Sequence, residues 1–170
     1  MEKKNMQLRT TVIENKDLWK NFIYLHNSIL FQNDILKMEE NILFCFSQLF
    51  NLNDPYDDKF QSQHWNDRRI NTILEYFHEN TDRQISLKEL EELVGCSSFH
   101  IIRLFKNHTG LTAHAYLTQI RLEKAKQLLN EGKSILDTAL STGFSDQSHL
   151  TRNFITRYGL SPGEYLLKKR

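Results

Sequence analysis

The chain has 170 residues and a mass of 20.2 kDa, room for one domain or two small ones and too little for a large multidomain enzyme. Hydrophobic residues at 39% and charged residues at 25% lie near globular averages, and a mean hydropathy of -0.54 without a long uncharged apolar run excludes a membrane span. The formal net charge of +1 hides an asymmetry: residues 1–67 carry 7 Lys+Arg against 10 Asp+Glu, and residues 68–170 carry 15 against 11. The basic excess lies wholly in the second part.

Two prolines and six glycines punctuate the chain, and the alternation a sandwich or barrel needs is missing, so the sequence predicts an all-α protein. No apolar stretch of the secretory kind follows residues 1–5, and Cys45 and Cys96 share no motif spacing, so a cytoplasmic location with reduced thiols is expected.

After a short lead over residues 8–16, Asp17 is placed to cap a helix with Leu18, Phe22, Leu25 and Ile29 on one face. A second helix starts near Asp34, with Ile35, Met38, Ile42, Phe46 and Leu49 in one stripe and Leu43, Phe44, Cys45 and Phe50 outside it. Two such helices carry more apolar surface than they can bury in each other. The excess either packs on the rest of the chain or forms a dimer or partner face through Leu43, Phe44 and Phe50. The polar stretch that follows, with Asp54-Pro55 and Asp57-Asp58, reads as a linker. The predicted division is a helical pair over 1–52, a linker over 53–66 and a second domain over 67–170.

That domain opens with an amphipathic helix bearing Ile70, Ile73, Leu74 and Phe77 and then repeats itself. Arg103-x-Phe105 with Gly110, Tyr116 and Leu117 recurs as Arg152-x-Phe154 with Gly159, Tyr165 and Leu166 at an offset of 49 residues, while Ser86-Leu87-x-x-Leu90 matches Ser134-Ile135-x-x-Thr138 at 48. In each copy a short helix, a glycine-containing turn and a capped second helix follow in helix-turn-helix spacing, over about 86–108 and 135–157, with one long helix from about Ala113 to Asn130 between them. The first helix of such a motif clamps the second, whose N-terminal residues can then reach base edges in a major groove. The outward positions are Ser98, Phe99, Ile102, Arg103 and Lys106 in the first copy and Gln147, Ser148, His149, Thr151 and Arg152 in the second. None is acidic, as a phosphate-lined groove requires, and Arg and Gln suit bidentate contacts with guanine and adenine. A solvated polar face is the plainer alternative, but it does not account for the same construction twice.

The segment Gly143-Phe144-Ser145-Asp146-Gln147-Ser148-His149-Leu150-Thr151-Arg152-Asn153-Phe154, with Gly159-Leu160-Ser161-Pro162-Gly163-Glu164-Tyr165, resembles the AraC/XylS signature, and the likeness spans roughly residues 68–167. The resemblance implies a transcriptional regulator whose two recognition helices enter successive major-groove segments of double-stranded DNA, with Arg103 and Arg152 as the foremost base readers. RNA polymerase is a further partner it allows, and no cofactor is expected. Three positions depart from the family pattern: Glu91 stands where alanine is usual, Ile155 where lysine is common, and Ile102 where a polar residue is frequent. These leave the first motif expected to be the less specific, with Ile102 restricted to contact with a thymine methyl. Leu8-Arg9-Thr10-Thr11-Val12-Ile13-Glu14 and the two helices after it resemble the tail of the family's sensor domain. The expectation is a chain without the sensor barrel, whether truncated or a natural short form, that self-associates through the N-terminal helices.

Catalysis is not expected. The histidines at 26, 64, 78, 100, 108, 114 and 149 form no His-x3-His pair, the cysteines no Cys-x2-Cys pair, and no glycine-rich phosphate loop is present. Glu39-Glu40 and Glu91-Glu92 are neighbours in sequence, so on a helix they diverge by about 100° and cannot share a substrate. A helical protein-interaction adaptor with weak DNA binding is the remaining alternative.

Overall fold

The computed structural model describes residues 19–20, 22–23, 25–27, 34–50 and 63–168. Among these every regular element is helical: residues 19–20, 22–23 and 25–27 have helical backbone, and eight helices follow. They are α1 (Ile35–Phe50), α2 (Gln63–Glu79), α3 (Leu87–Val94), α4 (Ser98–Thr109), α5 (Ala113–Asn130), α6 (Ile135–Ser141), α7 (Gln147–Tyr158) and α8 (Pro162–Leu167). The long helix anticipated from the repeat is α5, and the two helix-turn-helix motifs are α3–α4 and α6–α7. Helix α2 begins inside the stretch read as linker. The lead over residues 8–16, linker residues 51–62, Leu18, Ile29 and the side chains of Leu49 and Phe50 lie outside the described residues.

Local chemistry sets the helix starts. Ser86, Ser97, Thr112, Ser134, Asp146 and Ser161 each take extended backbone and accept a hydrogen bond from the amide three residues on, and at α3 and α8 a glutamate completes a capping box. Pro162 occupies the first turn of α8, where its missing N–H leaves no bond unmade. Gly95, Gly110 and Gly159 end α3, α4 and α7 in the left-handed region.

Packing forms two cores that share α5. The first gathers Ile70, Ile73 and Phe77 of α2, Leu87 and Leu90 of α3, Ile101, Leu104 and Phe105 of α4, and Ala113, Leu117 and Ile120 of α5. The second gathers Leu122, Ala125 and Leu129 of α5 with Ala139, Phe144, Leu150 and Phe154. Each α5 set has spacings near four and three, but the step from Ile120 to Leu122 turns the apolar stripe to roughly the opposite side of the helix. The helix therefore presents one face to the first motif and another to the second, and its whole length lacks a single apolar stripe.

On its N-terminal half α5 carries His114, Thr118 and Arg121 on the same side as Leu122, Ala125 and Leu129, and there it receives α1. Leu36 is fully buried in the first core and Leu43 packs against it, so part of the apolar excess of α1 is ordinary core. Asp34 caps α1 by accepting from the Lys37 amide at 3.3 Å. The same carboxylate meets Arg121 Nη1 at 3.3 Å and His114 Nε2 at 3.1 Å. The adjacent Glu39 and Glu40 diverge to two helix ends: Glu39 Oε2 accepts from the Leu87 amide of α3 at 2.5 Å, and Glu40 Oε1 from the His114 amide of α5 at 3.2 Å. Both fill orphan donors at a positive helix terminus.

Arg121 is 1% exposed. Its Nε donates to the Thr81 carbonyl at 3.0 Å and Nη2 to the Arg83 carbonyl at 2.7 Å, tying α5 to the turn after α2. Gly143, in the α6–α7 turn at φ +74°, lies against the same group: a Cβ there would strike the Thr81 carbonyl and come within 2.9 Å of Arg121 Nε and Nη2. Gln84 Nε2 donates to the Gly143 carbonyl at 3.4 Å, completing the joint between the motifs.

Burial pushes the Asp34 carboxyl up, but the His114 hydrogen bond and the charges of His114 and Arg121 outweigh it and hold the pKa at about 2. The folded value lies below the ordinary one, so the stabilisation is complete above pH 4 and is lost as pH falls toward 2. Asp34→Asn leaves a buried guanidinium without its counter-ion and should cost about 3 kcal/mol near neutrality. The difference between wild type and variant should shrink by roughly 2 kcal/mol between pH 5 and pH 2, as read from urea midpoints. A pH-independent difference would show that the Asp34 carboxylate is not held ionised by Arg121 and His114.

Candidate nucleic-acid interface

The two second helices of the motifs, α4 and α7, present the predicted side chains. Helix α4 starts at the Ser97 cap, whose hydroxyl accepts from the His100 amide at 3.4 Å. It buries Ile101, Leu104 and Phe105, and leaves Ser98, Phe99, Ile102 and Arg103 half-buried and Lys106 exposed. Helix α7 starts at Asp146, which accepts from the His149 amide at 2.7 Å; it buries Leu150 and Phe154 and leaves Gln147, Ser148 and Arg152 exposed and Thr151 half-buried. Thr151 Oγ1 donates to the Gln147 carbonyl at 2.8 Å, so its hydroxyl retains only accepting capacity toward a ligand. Neither helix contains an acidic residue, whereas α3 carries three glutamates.

His149 stands apart from this row. It is 9% exposed, its ring meets Phe144 edge-on with centroids 5.2 Å apart, and Nδ1 lies 3.2 Å from Ser145 Oγ. Burial pushes its pKa below the ordinary histidine value. Its counterpart at the 49-residue offset is His100, also buried at 5%. The repeat thus held the signal that places His149 on the inner flank: counted in register with the first copy, where His100 was not among the outward residues, it belongs inside.

Ile102 turns sideways. It packs partly against the first core and lines a cleft of about 570 Å³ whose other walls include Phe44 of α1, Gln119 and Leu122 of α5, and Thr156 and Arg157 of α7. The cleft brings α1 beside α4 and α7. Thr156 and Arg157 lie beyond the first turns of α7, the part whose outward positions the sequence picks out, and it is the fold that brings them to this cleft.

Glu91 is half-buried. Its Oε1 accepts from the Ser98 amide at 2.5 Å and also from the Ser98 hydroxyl, so the carboxylate clasps the first residue of α4. Ile155 is exposed at 45%, one turn beyond Arg152. Of the N-terminal partner face, Leu43 is half-buried and Phe44 is 48% exposed; the Phe50 side chain is outside the described residues. Cys45 is 3% exposed, in keeping with a packing role. Among the described residues no group of three or more His, Cys, Asp or Glu side chains is disposed to hold a metal ion.

Comparison with known proteins places this geometry. A family model described as a helix-turn-helix domain matches residues 90–168. The HTH-type transcriptional regulator YbfI of Bacillus subtilis is 38% identical over 81 residues, 48% of this chain and 30% of that protein. The chain spans about a third of the length of the curated relatives it matches. A solved structure described as a probable AraC family transcriptional regulator from Rhodopseudomonas palustris is similar with a TM-score of 0.56 and 31% identity, covering 61% of this chain and 98% of that one. The DNA-binding domain of AdpA, solved in complex with a target DNA, shares the fold with a TM-score of 0.57 at 23% identity, over 60% of this chain and 93% of that one. With two helix-turn-helix motifs joined through α5 and these likenesses, the chain belongs to the AraC family of helix-turn-helix transcriptional regulators.

Proposed function

We propose that the chain regulates transcription by reading double-stranded DNA with α4 and α7 in successive major-groove segments. The observation that carries this reading is the pair of capped, acid-free second helices, each with an arginine at the same register and both anchored on α5. The AdpA complex supports DNA as the partner of this fold. Residues 67–170 form the DNA-reading unit, with α1 docked on it. Arg152 and Arg103 are the principal base readers, beside Gln147, Ser148, Thr151 and Lys106, while Phe99 and Ile102 supply apolar contact. A role at promoters makes RNA polymerase a further partner, and a cytoplasmic location follows from action on the chromosome. Membership in a family of regulators leaves catalysis without support.

Selection from random duplex DNA should yield a bipartite motif with centres about ten base pairs apart, bound with an affinity that falls steeply with salt. Absence of enrichment at low salt would contradict the reading. Arg152→Ala should cost ~1 to 3 kcal/mol at the selected site and relax one base preference; an equal loss on every sequence would place Arg152 on phosphate instead.

Self-association is a second element of the proposal. Phe44 and Phe46 of α1 are 48% and 47% exposed, and Trp19 and Phe22 in the preceding helical stretch 66% and 51%. Phe44 and Phe46 stand two residues apart and so on different sides of α1; of the two, Phe44, outside the main stripe, supports a face shared between two copies. Sedimentation at micromolar concentration should show a dimer that a Phe44→Glu, Phe46→Glu variant loses; a monomeric wild-type profile would count against it.

A further inference from the structure

We propose that Glu91 fixes the hydrogen-bonding direction of Ser98 and thereby decides which bases the first recognition helix accepts. Ser98 is the first residue of α4 and half-buried, at the end of a recognition helix that approaches base edges. The inference rests on the DNA-reading role proposed above.

A serine hydroxyl has one proton and two lone pairs, and an ionised carboxylate has only acceptors. The Ser98 hydroxyl donates to Glu91 Oε1, and the Ser98 amide donates to the same oxygen at 2.5 Å. The double clasp commits the only proton of the hydroxyl and leaves lone pairs facing outward. In the major groove the donors are the adenine N6 and cytosine N4 amino groups, whereas guanine and thymine offer acceptors at the corresponding edge. Phosphate oxygens also only accept. Ser98 therefore cannot serve as a backbone anchor and selects adenine or cytosine at one position of the first half-site.

The second motif supplies the internal contrast. At the 48-residue offset the counterpart of Glu91 is Ala139, fully buried, and at the 49-residue offset the counterpart of Ser98 is Gln147, exposed. The amide of Gln147 keeps both donor and acceptor capacity and reads without a carboxylate behind it. Glu91 thus makes the two motifs chemically unequal, and the first acquires a polarity filter that the second lacks.

Selection from random duplex DNA with wild type, Glu91→Ala, Glu91→Gln and Ser98→Ala, each checked for helical content and cooperative melting, tests this. Wild type should disfavour guanine and thymine roughly three- to tenfold at one first-half-site position, the range of a single net hydrogen bond. Glu91→Gln retains an accepting oxygen and should keep that preference. Glu91→Ala and Ser98→Ala should both lose it, with the second half-site unchanged. If Glu91→Ala does not fold, Ser98→Ala against Glu91→Gln makes the same decision. An unchanged preference in Ser98→Ala, or a Glu91→Ala variant that only binds all sequences more tightly, overturns the proposal. A wild-type chain that enriches no motif overturns the DNA-reading role beneath it.

Discussion

A guanidinium at 1% exposure cannot be left unpartnered, and the satisfaction of Arg121 is the constraint on which the arrangement of the chain depends. Its three partners come from two places far apart in sequence: Asp34 before α1, and the carbonyls of Thr81 and Arg83 in the turn after α2. Gly143 closes the same joint from the second motif, where a Cβ has no room. Buried ion pairs seldom add much net stability, since desolvation opposes the Coulombic gain. Their geometry is demanding, however. One side chain here fixes the mutual placement of α1, the first motif and the second motif, which hydrophobic contact alone would leave free to slide.

The two motifs share a frame and differ in chemistry. His100 and His149 occupy the same inward register, and Arg103 and Arg152 the same outward one. The first motif adds a carboxylate at the start of its recognition helix, while the second exposes Gln147, Ser148 and Arg152. Helix α1 meets the first motif through Leu36 and Glu39, and α5 through Glu40 and Asp34. A signal that shifts α1 has a physical route to the joint, because moving Asp34 leaves Arg121 without its carboxylate.

Much of the fold is legible in the sequence because its signals are local. Caps at Ser97 and Asp146, left-handed glycines at Gly143 and Gly159, and the 49-residue repeat locate both motifs from spacing alone. What spacing does not carry is the pairing of distant groups. Nothing near Asp34 in the chain announces Arg121, and for Glu39 and Glu40 the sequence shows only that they diverge on a helix, while the two helix N-termini that meet them are brought there by the fold. The face on α7 was legible except at its flank, where His149 lies at the boundary between inner and outer sides and Phe144, one turn away, draws it in. In the sequence Glu91 is only a departure from the usual alanine, because its partner, the amide and hydroxyl of Ser98, becomes reachable only once the turn between α3 and α4 has formed.

A rigid joint around Arg121 sets the separation of the two DNA-reading helices, and affinity for one bipartite DNA site whose half-sites are moved apart by inserting one, two and three base pairs measures that rigidity. A rigid joint predicts a progressive loss that reaches about tenfold at two inserted pairs, where the second half-site has rotated by roughly 70° away from its helix. Near-equal affinity across the series would contradict the account, because it would mean that the two motifs move independently on DNA.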